Sequence, residues 1–190
     1  MKRVLIFIIL LYSAATINMH AQQVAIKTNL LYDATTTLNL GIELGMGRHW
    51  TLDIPFNYNP WKWDDGMRGQ HWGVQPAIRY WFCEKFNRTF VGLHAHYADF
   101  NIGGLRNWMP VSKNMKQNRY EGQLYGAGVS GGYSWILSNR WSLEMEIGIG
   151  YAHIVTDKYP CRTCGTPKGH SHKNYVGPTK ASISLIYMIK

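Results

Sequence analysis

Charge is scarce in this sequence. Only 16% of its 190 residues are Asp, Glu, Lys or Arg, against about a quarter in an ordinary soluble domain. Long apolar runs are missing too: beyond the N-terminal dozen residues none reaches 18, which excludes a spanning helix of the usual kind there. Cysteine is nearly absent, with three residues, too few for a disulfide-dense scaffold. No nucleophile, base and acid fall at triad spacing, and no βαβ pattern surrounds the one C-x-x-C. Aromatics, by contrast, are abundant at 14%.

The chain opens MKRVLIFIILLYSAATINMHAQQ. Lys2 and Arg3 form a positive start, residues 4–12 an apolar run, and residues 13–21 a more polar stretch ending in Ala21. That order predicts a secretory signal peptide over 1–21, the apolar run being too short for a spanning helix. The remaining 22–190 suffices for one domain. Removing Lys2 and Arg3 with the leader lowers the formal charge from +9 to +7.

What fills that domain is alternation with period two. In RWSLEMEIGIGYAH, Trp141, Leu143, Met145, Ile147, Ile149 and Tyr151 alternate with Ser142, Glu144, Glu146, Gly148 and Gly150. Side chains two apart share one face of a strand, so this segment has an apolar face and a polar or glycine face. Eight segments read this way: 24–32, 36–47, 50–60, 71–82, 89–100, 120–136, 141–156 and 175–189. Most approach the roughly ten residues with which a tilted strand crosses a bilayer. The connections near 47–49, 83–88 and 138–140 are short, and those at 61–70, 101–119 and 157–174 are long.

A soluble barrel hides its apolar face and shows a charged one to water. Here the polar face is rich in Gly, Asn, Ser and Gln and poor in charge. Trp50, Phe82, Trp135 and Trp141 sit beside short turns, and Tyr58, Trp61, Trp72, Tyr97 and Tyr151 toward long loops, as two interfacial belts would. The reading is an all-β, eight-stranded antiparallel up-and-down transmembrane β-barrel in the outer membrane of a Gram-negative bacterium.

The inward face then carries Lys27, Glu43, Asp53, Arg79, Glu144, Glu146 and Lys180, with His94 and His96. Eight strands enclose only enough space for side chains. A neutralised ion-pair core is therefore favoured over an ion path.

Two loops hold the surface charge. Arg106, Lys113, Lys116 and Arg119 in 101–119, and Lys158, Arg162, Lys168 and Lys173 against Asp157 in 157–174, account for the whole +7. Basic loops on one rim attract anions: lipopolysaccharide phosphates, an acidic glycan or a surface protein, rather than nucleic acid. In the second loop, YPCRTCGTPKGHSH offers Cys161, Cys164, His170 and His172. A local Cys161–Cys164 disulfide is the leading reading for an outer surface. Zinc on the four side chains is the alternative, although the spacing is not that of a standard finger. No other cofactor is expected. Cys83, in a short turn, has no evident partner.

The run NYVGPTKASISLIYMIK, the CRTCG ahead of it and KTNLLYDATTTLNLGIELG near the start resemble an uncharacterised family of outer-membrane β-barrels from the Bacteroidota. Its members look like small OmpA- or OmpX-type barrels. The resemblance implies the fold and location, supplies no catalytic residues, and hints at surface-fimbria loci. The chain departs from the wider outer-membrane pattern in ending Ile189-Lys190 rather than on an aromatic.

The leading function is a non-enzymatic barrel with a structural or surface-interaction role. A lipopolysaccharide-modifying enzyme would have His153, Asp157, Ser171 and His172 near the outer rim. A narrow porin is the third reading, disfavoured by lumen width.

Overall fold

The computed structural model describes residues 23–62, 68–103, 119–159 and 169–189, without the side chain of Arg68. Every alternating segment contains strand: β1 (Val24–Asn29), β2 (Leu38–Met46), β3 (Trp50–Asn59), β4 (Arg68–Val74), β5 (Ala77–Trp81), β6 (Arg88–Gly103), β7 (Arg119–Ile136), β8 (Trp141–Tyr159) and β9 (His170–Met188). All pairings are antiparallel; apart from β4 and β5, each strand pairs with the next in the chain, and β1 closes the ring on β9, Ile26 facing Tyr187.

β4 and β5 are two halves of one stave. Pro76 has no N–H to give the ladder, so the strand breaks at Gln75 and Pro76. Both halves nonetheless pair with β3 and with β6. Backbone bonds Gln75 N–H to Pro55 O (3.2 Å) and Ala95 N–H to Pro76 O (3.0 Å) carry the stave across the break. The fold is a closed, eight-stranded antiparallel barrel.

Some boundaries differ from the sequence reading. The segment expected as strand over 24–32 stops at Asn29, and α1 (Leu30–Ala34) follows. The side chain of Asn29 accepts from the Leu31 N–H at 3.1 Å, capping a helix whose apolar start mimics strand. On the side of the long loops, β6 to β9 run 16 to 19 residues, whereas β2 and β3 have 9 and 10. A wall therefore stands on one side of that mouth. Opposite the break in β4 and β5, a bulge lies where Gly148 faces Lys180 and Ile149 faces Pro178. The residue between, Thr179, is the extra one.

Burial is inverted relative to a water-soluble protein. Ile147 is 75% exposed and Val176 80%, while Glu43, Asp53 and Glu144 are 0% exposed. At the short-turn end the interior is apolar instead: Ala25, Trp81, Phe86, Phe90 and Ile186 pack together. The Trp81 and Phe90 rings lie 4.6 Å apart. Phe86 reaches this cluster from a turn in which it adopts φ 64°.

Candidate functional site

The alternation of six staves delivers seven charged side chains to one level of the lumen. Arg79, on β5, is their hub. Its guanidinium lies 3.0 Å from Glu43, 2.8 Å from Asp53 and 3.1 Å from Glu144, and it also contacts Glu146. A planar fork with several donors suits this bridging better than an ammonium would. Lys27 approaches from β1, at 3.2 Å from Glu43, 3.0 Å from Asp53 and 3.3 Å from Glu144. Lys180, beside the bulge on β9, meets Glu146 at 3.0 Å and Asp53 at 3.6 Å.

The cluster is wedged from below. The Thr51 hydroxyl donates to Glu43 at 2.5 Å, and Trp81 Nε1 donates to Thr51 at 2.9 Å. The Arg79 guanidinium also lies over the Phe90 ring, 4.6 Å from its centroid. Sequence reasoning did not anticipate this aromatic stopper. The inward parity of Trp81 and Phe90 was its available signal, although parity could not show that the Phe86 turn folds back inside. Together the stopper and the ion cluster occupy the lumen at their two levels, as eight strands allow. About 70 Å³ stays open beside Lys27, Asp53 and Arg79, and beyond Phe86 the short-turn end opens into a mouth of about 670 Å³.

At the other end, the structure places three of the eight expected anion-binding side chains. Arg119 is engaged already: it pairs with Glu121 at 3.0 Å and lies over the Tyr159 ring at 4.2 Å. Lys158 and Lys173 are exposed. Lys173 faces Ile154 across the β8–β9 ladder, and directly opposite residues share a face. By alternation Lys158 stands on that face too, the one that continues the lumen. Arg106, Lys113, Lys116, Arg162 and Lys168 lie outside the described residues, as do Cys161 and Cys164.

His170 and His172 are placed, on the outer face of β9. His170 contacts Asp157, and the His172 ring stacks on His153 with centroids 5.8 Å apart. Among the described residues no group of three or more His, Cys, Asp or Glu side chains is placed to hold a metal. Ser171, which faces Thr156 across the ladder, points to the opposite side from its neighbour His172. The residues weighed for an enzyme are thus split between two faces. Cys83 is an exposed free thiol, and its carbonyl contacts His49 Nδ1 at 2.5 Å. In α1, burial holds the Tyr32 hydroxyl above its ordinary range.

A family model described as "Protein of unknown function (DUF3575)" matches residues 5–189. No curated protein and no solved structure matches the chain.

Proposed function

We propose that this chain, which belongs to the DUF3575 family, is a non-enzymatic outer-membrane barrel that works at the cell surface through its basic outer rim. The observation that carries this is the inverted burial. A closed barrel with Leu93, Ile147, Ile149 and Val176 each more than 60% exposed matches hydrocarbon outside rather than water. Residues 1–21 serve as a cleaved signal peptide, and the protein is a small barrel of the OmpA or OmpX type from a member of the Bacteroidota.

The lumen, occupied at those two levels, supports a wall, anchor or docking post rather than a pore. Lys158 and Lys173 flank the mouth, and Arg106, Lys113, Lys116, Arg162 and Lys168 belong to the two loops above it. A rim of net positive charge gathers anions: lipopolysaccharide phosphates, an acidic glycan, or an acidic surface protein such as a fimbrial subunit. Cys161 and Cys164 stiffen the second loop by a local disulfide.

Cell fractionation and a lipopolysaccharide-binding titration at two salt concentrations test this reading. Sedimentation with outer membranes and binding that weakens with salt are expected. Recovery in the periplasmic fraction, or binding indifferent to salt and to Lys158→Ala with Lys173→Ala, would contradict it.

A further inference from the structure

Above the ion cluster the lumen widens into a cup of about 390 Å³ beneath the long-loop mouth, with α1 contributing Tyr32 on one side. That volume lies within the usual range of small-molecule sites. Its lining contains no Asp, Glu, Lys or Arg. Leu124, Ala152 and Ile154 give it an apolar wall, and Tyr32 and Tyr175 give it rings. Asn57, Gln75, His96 and Thr179 give it polar groups.

Two of those polar groups are committed. Gln75 Nε2 donates to the Thr179 carbonyl at 3.1 Å, and the Thr179 hydroxyl contacts His94 Nε2 at 2.9 Å. His96 is not. It is 9% exposed, lines the cup, and neither of its ring nitrogens has a hydrogen-bond partner. A buried polar side chain left in that state is uncommon and calls for a partner. Space for the ring is made by Gly126, where a Cβ would press on His96 Nε2 and on the Tyr151 carbonyl.

Charge above and below narrows what that partner is. Lys158 and Lys173 at the mouth oppose a cation. Beneath the cup, the acids Glu43, Asp53, Glu144 and Glu146 are nearly balanced by Lys27, Arg79 and Lys180, which pair with them, so no free positive charge draws an anion to this depth. An acyl chain would be neutral but would leave His96 and Asn57 without partners. An uncharged sugar ring suits both halves of the lining, with C–H faces for Tyr175 and Ile154 and hydroxyls for His96 and Asn57.

We infer that the cup binds an uncharged sugar ring, the end residue of a surface glycan whose acidic groups lie further out against Lys158 and Lys173. The inference rests on the surface-interaction reading above and deepens it by naming the ligand.

The test uses the full barrel in lipid nanodiscs free of glycoside detergent. Saturation-transfer NMR is recorded with glucose, galactose, mannose, fucose and N-acetylglucosamine, and with glucuronate and decanoate for comparison. The expected result is transfer to at least one neutral sugar, unaffected by salt. The signal should be lost in His96→Phe, which keeps the ring volume without the nitrogens, and in Ala152→Trp, which fills the cup. Leu124→Phe, a milder filling, stands in should the tryptophan variant lose heat-modifiable migration. Transfer to none of the neutral sugars, transfer to decanoate alone, or transfer unchanged in both His96→Phe and the filled variant would overturn the inference. Sugar transfer that persists while lipopolysaccharide binding fails would support the cup and count against the rim instead.

Discussion

Arg79 donates to Glu144 across the barrel at 3.1 Å, with neither side chain more than 1% exposed. The bond joins β5 to β8, staves that are not neighbours in the sheet. A contact of this kind holds the two sides of the ring at a fixed separation. Arg79 makes comparable contacts to Glu43, Asp53 and Glu146, so it is the side chain on which the interior depends most.

Arg79→Ala is expected to destabilise the barrel by about 3–5 kcal/mol, because it leaves buried carboxylates without their partner. Urea unfolding in detergent, followed by tryptophan fluorescence, measures this. Arg79→Lys should recover part of the loss, since an ammonium restores the charge without the fork. An alanine variant as stable as the wild type would refute the hub role.

The outward face makes a different prediction. If the exterior faces lipid as proposed, Ile147→Arg should cost about 2–4 kcal/mol of insertion free energy by placing a charge near the middle of the strand's outer face. Gly148→Arg, one residue on, should fail through crowding: a Cβ there already stands 3.0 Å from His94, Ser130 and Val129. Refolding into vesicles of graded acyl length separates the two, since only the Ile147 variant should respond to bilayer thickness. Equal response of both would contradict the assignment of faces.

Much of this architecture was readable because alternation is a local signal. Trp141 through Tyr151 announce their two faces without reference to any other residue, and the inward parity of Glu43, Arg79 and Glu144 follows in the same way. What was not readable depends on contacts distant in sequence or on a local competition. Leu30, Leu31 and Tyr32 look like continuing strand until the Asn29 side chain takes the Leu31 N–H. Pro76 interrupts a stave that neighbours on both sides still hold together. Ser171 and His172 look like partners in the sequence, yet adjacent strand residues face opposite ways. The orphaned nitrogens of His96 could be recognised only once the space around them was known.

The aromatic stopper yields a further expectation. Trp81→Ala should cost about 3–5 kcal/mol, the range for truncating a buried aromatic. It also removes the donor to Thr51, which itself supports Glu43. Planar-bilayer recording should show no porin-sized conductance in the wild type. Large, steady channels in the wild type would contradict an occupied lumen.

Cys161 and Cys164 lie outside the described residues, and the disulfide is a proposal with a direct test. Intact mass should rise by about two units on reduction, one hydrogen for each sulfur. The ring closed is short, so Cys161→Ser with Cys164→Ser should leave heat-modifiable migration unchanged. Stoichiometric zinc in native protein, lost in His170→Ala with His172→Ala, would establish the metal alternative instead.

The claim on which the account rests is that the apolar exterior faces lipid. Sedimentation velocity of the purified, folded protein as detergent is removed tests it most directly. The account predicts that the barrel stays monodisperse only while detergent or lipid covers Leu93, Ile147, Ile149 and Val176, and aggregates when that cover is withdrawn. A folded species that remains monodisperse in plain aqueous buffer would contradict it.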